Sequence, residues 1–197
     1  MILPIIAFGD PILKKKAEKI EASYPKIKEL INNMYETMYN ASGVGLAAPQ
    51  IGLSIRLFIT DGSPFAEVEE GEVIDPKAIG MENFKKVFIN PEILKEEGEE
   101  WSFAEGCLSI PKIREEVLRK EKILIRYYNE EFALCEEEFD GYSARIIQHE
   151  YDHLNGVLFT DYLSGLKRKL LSKKLLSISK GDIKVDYKMK FPILKKK

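Results

Sequence analysis

IIQHEYDHLNGVLF, residues 146–159, contains both histidines of a chain of 197 residues. His149 and His153 stand four residues apart, and Glu150 directly follows the first of them. Apolar residues recur around them at the spacing of an amphipathic helix, and the Asn-Gly pair that follows Leu154 is a typical helix end. We therefore expect a helix over residues 142–154 that carries both histidines.

This spacing indicates a metal site. On a helix, His149 and His153 project from one face, one turn apart, where they can bind a single metal ion. Glu150 lies about a hundred degrees round the helix from His149, close to the metal but free to transfer a proton. Two unrelated surface histidines are the alternative, but random placement gives this H-E-x-x-H pattern roughly once in a thousand such chains.

A catalytic metal site needs a third protein ligand and one position left for water. The chain has no third histidine, no glutamate follows Glu150, and the metzincin ligand position is Phe159. An aspartate, of which Asp161 is nearest, or a cysteine thiolate, a strong ligand for zinc or ferrous iron, remains. Cys107, in AEGCLSIP, has the context of a strand end or turn, whereas Cys135 lies among acids and fits an ordinary half-buried residue.

The chain as a whole fits a single α+β domain over residues 1–197. We expect small antiparallel or mixed sheets around the central helix, with further helices near both ends of the chain. Residues 61–84 are acidic and rich in glycine and proline, and they predict a surface insertion. The β-branched and aromatic content predicts strands within residues 53–60, 85–94, 99–106 and 121–129, and helical spacing predicts helices within 24–42 and 161–177.

Composition excludes several classes of protein. Two cysteines are too few for a disulfide framework, and no apolar run approaches the ~18 residues that a membrane span needs. At the start of the chain the lysines come after the apolar residues, which is the wrong order for a secretory signal. We therefore expect a cytoplasmic protein without a membrane partner.

Three blocks of sequence carry a resemblance to a known family. GVGLAAPQIG at residues 43–52, EGCLS at 105–109 and QHEYDHLNG at 148–156 occur in the order and context of the peptide deformylases. The chain resembles that family from about residue 8 to residue 163. Because all three blocks are present together, the resemblance is specific. It implies removal of the formyl group from the initiator methionine of nascent polypeptides.

The resemblance also assigns roles to individual residues. It makes Cys107, His149 and His153 the metal ligands. It makes Glu150 the general base and acid, which would take a proton from an activated water and return it to the leaving amine. The Gln50 side-chain amide and the Leu108 backbone N–H would face the substrate carbonyl and stabilise the developing oxyanion. The residue types alone do not choose between zinc and iron. The family implies one Fe²⁺ per chain, which Zn²⁺, Ni²⁺ or Co²⁺ can replace.

The same resemblance predicts a substrate groove. The glycine loop Gly43, Val44 and Gly45 would pair with the substrate backbone, although glycines alone would equally fit a plain turn. Arg114 would reach toward the peptide. Ile146 lies on the metal face of the predicted helix, so Ile146 and Val44 are candidate walls of an apolar slot for the methionine side chain. Ordinary core packing explains both as well.

The last part of the chain is basic. Residues 161–197 contain 12 Lys or Arg against 3 Asp, so in a chain of net charge −2 they leave −11 on the first 160 residues. We expect Leu166, Leu170 and Leu171 to hold a basic helix against the domain. The cationic face is either simply solvated or binds ribosomal RNA without sequence specificity through counterion release. Its cations are Lys167, Arg168, Lys169, Lys173 and Lys174.

Overall fold

A computed structural model describes residues 1–67 and 73–192, and it confirms the α+β class. All three predicted helices are present: α1 (Ile27–Asn40), α2 (Gly141–Leu154) and α3 (Gly165–Ser179). Both histidines lie on α2. Within the described ranges, none of the helices combines the length and the apolar content needed to cross a membrane.

The main sheet has five antiparallel strands, each paired with the strand that follows it in the chain. These strands are β2 (Gly45–Ala47), β3 (Leu57–Asp61), β4 (Lys85–Cys107), β5 (Ile110–Tyr128) and β6 (Leu134–Asp140). The strands predicted separately over 85–94 and 99–106 are one bulged strand of 23 residues, β4. It forms a long hairpin with β5, and the pair Cys107–Ile110 closes the end of that hairpin.

Two strands of this sheet were not predicted. Gly43 and Gly45 predicted a loop or a plain turn, but β2 begins at Gly45 and occupies one edge of the sheet. A 3₁₀ helix, Ala48–Ile51, follows it directly. Strand β6 lies at the other edge, and its residues are alternately exposed and half-buried. Its many acidic residues are uncommon in strands, so its composition did not predict one.

Helix α2 packs its apolar face against the main sheet. Ile147 and Leu154 are fully buried in the same cluster as Phe58 and Phe88, whose rings stack with centroids 4.6 Å apart. Burial of each such side chain stabilises the fold by about 1.5–3 kcal/mol. This packing leaves His149 and His153 facing the closed end of the β4–β5 hairpin, where Cys107 lies.

The segment predicted as a surface insertion, residues 61–84, falls partly outside the described residues. Its described part contains both exposed and buried residues. Val73 and Ile79 are exposed, as expected of a surface segment, whereas Ala78 and Met81 are buried in the core. Short 3₁₀ helices provide these anchors, because their tight turns can point an occasional apolar side chain inward without a regular element.

Helix α3 buries a different face from the one predicted. Leu171 is buried, but Leu166 and Leu170 are 70% and 72% exposed. The buried apolar residues are Leu171, Leu175 and Ile178, which recur at i, i+4 and i+7 and therefore share one side of the helix. This helix carries apolar residues on more than one side, so the pattern alone did not identify the face that packs.

The residues after α3 return to the domain. Strand β7 (Met189–Lys190) pairs in parallel with β1 (Ile5–Ile6) to form a second, two-stranded sheet. The sequence predicted only a basic tail here, and its residues 193–197 lie outside the described part of the chain. The five cations of α3, from Lys167 to Lys174, are all exposed.

Candidate active site and metal centre

Two elements bring together the three residues that the resemblance assigns as metal ligands. The end of the β4–β5 hairpin supplies Cys107, and α2 supplies His149 and His153. One donor atom of each lies within 4.8 Å of the other two. The Cys107 Sγ and the His153 Nε2 are 3.3 Å apart. Two imidazoles and a thiolate at this separation suit a single divalent ion such as Zn²⁺ or Fe²⁺.

The surroundings of the histidines fit the same ion. The Nδ1 of His149 lies 2.9 Å from a carboxylate oxygen of Glu105, which leaves its Nε2 for the metal. Burial lowers the pKa of His149, but contacts with Cys107 and Glu105 raise it more, so the net direction is upward and a metal ion that binds this imidazole would displace its proton. Burial lowers the pKa of His153 well below its usual value, and the neutral imidazole can act as a ligand.

Glu105 belongs to a buried network that the sequence did not reveal. Arg119 donates to both of its carboxylate oxygens, at 2.6 and 3.0 Å, and Arg145 donates to one at 2.9 Å. Burial would raise the pKa of Glu105, but hydrogen bonds from His149 and Arg119 outweigh it and lower the pKa. The carboxylate therefore stays ionised and orients His149. The sequence did contain one indication that Arg145 lies near the site. Arg145, His149 and His153 repeat at four-residue intervals and therefore share one face of α2.

Glu150 occupies a buried position beside these donors. Burial raises its pKa to about 7. Among the described residues, its Oε2 and the Nδ1 of His153 are buried polar atoms without a hydrogen-bond partner. A Cβ added at Gly45 would lie 2.4 Å from the Glu150 Oε1, so the carboxylate occupies space that only a glycine leaves free. A buried acid poised beside two imidazoles and a thiolate is the arrangement that a hydrolytic metal site requires.

Gln50 points its amide nitrogen into the site. The side chain is buried, and its Oε1 accepts a hydrogen bond from the Ala47 N–H at 2.8 Å. This contact turns Nε2 toward the Cys107 Sγ and the Ser109 Oγ, each 3.4 Å away. Leu108 lies between those two residues at the turn of the β4–β5 hairpin. The two predicted donors therefore lie at the same end of the hairpin as the metal-ligand group.

A cleft of about 860 Å³ opens beside this group. Every predicted substrate-binding residue lines it: Gly43, Val44, Gly45, Arg114 and Ile146. Ile146 is buried and Arg114 is exposed. The cleft also has walls that the sequence did not predict. Phe65 comes from the 61–84 segment, Phe103 comes from β4, and residues 185–187 come from the C-terminal segment.

The other candidate ligands lie elsewhere. Asp161 accepts a hydrogen bond from the Leu158 N–H at 2.8 Å and forms an ion pair with Lys14, at the start of the 3₁₀ helix Phe159–Tyr162. It is not part of the metal-ligand group found among the described residues. Cys135 is half-buried on β6, as expected, and its thiol contacts the Ala133 carbonyl.

Sequence comparisons identify relatives along the whole chain. The model of the polypeptide deformylase family matches residues 2–169. A peptide deformylase of Christiangramia forsetii is 58% identical over 196 residues, which is 100% of this chain and 99% of the relative. A peptide deformylase of Flavobacterium johnsoniae is 55% identical, with the same coverage of each chain.

Solved structures give the same result. The crystal structure of a peptide deformylase from Legionella pneumophila superposes with a TM-score of 0.75 and 38% identity, covering 90% of this chain and 95% of that one. For a peptide deformylase from Thermotoga maritima the TM-score is 0.71 and the identity 41%, with coverage of 83% and 99%. With a family match over most of its length and relatives above 50% identity, this chain belongs to the polypeptide deformylase family.

Proposed function

We propose that this chain hydrolyses the formyl group from N-formylmethionyl nascent polypeptides and releases formate, with one divalent metal ion held by Cys107, His149 and His153. Membership of the family supports deformylation. The observation that carries the metal-dependent mechanism is the convergence of the three donor atoms within 4.8 Å, beside a buried glutamate.

Glu150 is the residue that moves the proton. A divalent ion bound by the three ligands would supply a Lewis acid that polarises water and lowers its pKa. The Glu150 carboxylate takes the proton from the water that attacks the formyl carbon. It then returns a proton to the amine as the C–N bond breaks, leaving formate and a free amino terminus. A carboxyl pKa of about 7 suits both transfers, because the group can accept and release a proton near neutral pH.

Gln50 and the Leu108 backbone N–H stabilise the negative charge that develops on the formyl oxygen. The Ala47 contact fixes the Gln50 amide so that nitrogen, rather than oxygen, faces the cleft. A donor already aimed at the oxyanion needs no reorganisation during the reaction, and each such donor typically contributes ~3 kcal/mol.

The cleft accommodates an extended peptide. Because β2 lies at the edge of the main sheet, a substrate strand can add its backbone beside Gly43, Val44 and Gly45. Arg114 lies at the rim, where it can reach the bound peptide. The methionine side chain would enter an apolar slot walled by Val44, Ile146, Phe65 and Phe103. Aromatic walls suit a thioether, since sulfur–aromatic contacts are favourable.

Paired substitutions of the two candidate third ligands test the metal site. We expect Cys107→Ser to lose bound metal and hydrolysis of a formyl-Met peptide. Asp161→Asn should keep both, because Asp161 is already engaged by Leu158 and Lys14. If Cys107→Ser kept metal and activity while Asp161→Asn lost both, the site would be that of a metallopeptidase with an aspartate ligand.

A second substitution separates catalysis from a purely structural metal. Glu150→Gln keeps the size of the side chain but removes the base, so we expect turnover to fall by about 10²–10⁴-fold with metal content unchanged. Glu131→Gln, at an exposed position before β6, is the matched control and should behave as the parent. An unchanged rate in Glu150→Gln would show that Glu150 is not the base, whereas a non-catalytic protein with a structural metal would show no turnover in either the parent or the variant.

We propose Fe²⁺ as the native ion, with Zn²⁺, Ni²⁺ or Co²⁺ able to replace it. The ligand types suit both iron and zinc, so the choice rests on the family resemblance. A thiolate-bound ferrous ion should make activity sensitive to oxygen. Metal analysis after anaerobic purification, with activity followed during exposure to air, tests this. Full activity of an iron-free zinc form that does not decline in air would contradict it.

We also propose that the basic face of α3 holds the enzyme at the ribosome, where nascent chains emerge. Its five cations are exposed on a chain that is otherwise acidic, and of the five Lys167 is paired with Glu115 at 3.1 Å. Contacts with RNA phosphates release counterions, so binding should weaken steeply with added salt.

Charge-matched variants test the ribosome contact. Replacement of all five cations of α3 by Gln should reduce co-sedimentation with ribosomes at low salt and leave hydrolysis of a short formyl-peptide unchanged. A control variant removes five exposed lysines elsewhere: Lys19, Lys26, Lys28, Lys95 and Lys122. Equal ribosome binding by the two variants would rule out a specific role for α3.

A further inference from the structure

The segment that follows α3 reaches the active site. In residues 183–190 half-buried residues alternate with exposed ones, the burial pattern of an extended chain with one face on the domain. Ile183 and Met189 pack against a core cluster, while residues 185–187 line the substrate cleft. Gly181 allows the turn out of α3, because its φ of +71° favours glycine.

Backbone hydrogen bonds fix the position of this segment. The Ile5 N–H donates to the Lys188 carbonyl and the Ala7 N–H to the Lys190 carbonyl, both at 2.9 Å. These bonds belong to the parallel pairing of β1 with β7. The N-terminal segment therefore holds the C-terminal segment beside the cleft, and the side chains of residues 185–187 have a defined place there.

Both termini also hold the turn of the β4–β5 hairpin, which is formed by Leu108 and Ser109. The Tyr187 hydroxyl donates to the Leu108 carbonyl at 2.8 Å. The Phe8 N–H donates to the Ser109 carbonyl, also at 2.8 Å. The Gln50 Nε2 lies 3.4 Å from the hydroxyl of Ser109. The turn that carries the Leu108 N–H is thus held at both of its carbonyls.

We propose that Tyr187 is a positioning residue for catalysis, which sets the orientation of Leu108 through the hydrogen bond to its carbonyl. The inference rests on the proposed function, in which the Leu108 N–H donates to the oxyanion. The carbonyl and the N–H of Leu108 flank the same Cα. Holding the carbonyl restricts ψ of Leu108, and the pairing of Cys107 with Ile110 restrains the peptide group that carries the N–H. Tyr187 does not react; it keeps a donor aimed at the charge that develops in the transition state.

Tyr187→Phe removes the hydroxyl and keeps the ring that packs beside the cleft. We expect kcat to fall about three- to tenfold, the change that corresponds to the loss of one neutral hydrogen bond. KM should stay within about twofold, because the interaction acts in the transition state, and metal content should not change.

Tyr35→Phe is the matched control. Tyr35 is also partly buried, and its hydroxyl donates to the Lys86 carbonyl at 3.0 Å, away from the cleft. A purely structural role for Tyr187 predicts that both variants lose similar stability and neither loses kcat. A parental kcat in Tyr187→Phe, an effect confined to KM, or an equal loss of kcat in Tyr35→Phe would overturn the proposal.

A readout independent of activity distinguishes this proposal from the proposed function. The Ser109 nitrogen belongs to the same peptide group as the Leu108 carbonyl, so its NMR amide resonance reports the Tyr187 hydrogen bond. In the ¹⁵N-labelled zinc form, Tyr187→Phe should shift this resonance and Tyr35→Phe should not. If the Ser109 amide resonance does not shift, Tyr187 does not hold the Leu108 carbonyl, whatever the activity of the variant. A parent enzyme that does not deformylate a formyl-Met peptide refutes the proposed function instead.

Discussion

Gly45 leaves free the space that the Glu150 carboxylate occupies. Gly45 opens β2, and a Cβ placed on it would lie 2.4 Å from the Oε1 of Glu150 and 2.8 Å from its Cδ. The φ of Gly45 lies outside the left-handed region, so alanine can adopt this backbone. Gly45→Ala therefore keeps the backbone N–H and carbonyl that would pair with the substrate, and it adds one methyl group against the Glu150 carboxylate.

The geometry sets the size of the expected effect. Ordinary contacts of a Cβ begin at 3.4 Å, so the carboxylate must withdraw by about 1 Å, and a misplacement of that size can cost ~10²-fold in rate. Glu150 is buried, which leaves the displaced group little room. The three atoms nearest to the added methyl group all belong to Glu150, and none belongs to Cys107, His149 or His153. The metal content should therefore be preserved.

Steady-state hydrolysis of a formyl-Met peptide, metal analysis and thermal unfolding together check this prediction. We expect Gly45→Ala to lose about a hundredfold in kcat, with one metal ion still bound per chain. Gly165→Ala is the matched control, because a Cβ at Gly165 would have nothing within 4 Å. If Gly45→Ala turned over at the parental rate with metal bound, the close approach of Gly45 to Glu150 would not matter for catalysis.

Three further predictions concern stability. Gly156→Ala should lower the free energy of unfolding, measured with urea, by about 2 kcal/mol or more. The φ of Gly156 is +73°, and the added Cβ would lie 2.5 Å from the Lys14 carbonyl oxygen. A smaller loss would show that the end of α2 can shift. Arg145→Met should cost about 3 kcal/mol by the same measurement, since it removes buried hydrogen bonds to Glu105 and to two carbonyls; a loss below about 1 kcal/mol would contradict this. Removal of the metal with a chelator should lower Tm, because an ion that binds the folded chain stabilises it, and an unchanged Tm would argue against tight binding by the three ligands.

The helices could be predicted because their signal is local. In α1 the buried Ile31, Met34 and Met38 repeat at helical spacing, and in α2 the apolar residues and both histidines do the same. The face of α3 could not be predicted, because Leu166 and Leu170 are as apolar as Leu171. Contact with the rest of the chain, rather than the pattern, determines which of them is buried.

The candidate metal site also combines residues that the local sequence indicates with one that only the fold brings near. His149, Glu150 and His153 occupy one helix, so their spacing alone indicated a metal and a base. The third ligand could not be chosen in this way, and spacing left Asp161 open because it lies near the histidines in the chain. Cys107 lies 42 residues before His149, and only the closed end of the β4–β5 hairpin brings it to α2.

In the C-terminal segment the local sequence indicates a strand but not the position of that strand beside the candidate site. Charged residues alternate with larger apolar ones over residues 183–190, a period that favours a strand, yet the segment was predicted only as a basic tail. Even if a strand had been predicted here, the sequence would not have identified the strand with which it pairs. The parallel pairing with β1 joins residues about 180 positions apart in the chain. Once that pairing is made, register places Tyr187 at the carbonyl of Leu108. This hydrogen bond therefore depends on segments near both ends of the chain, and the motifs that contain Cys107, His149 and Glu150 could not indicate it.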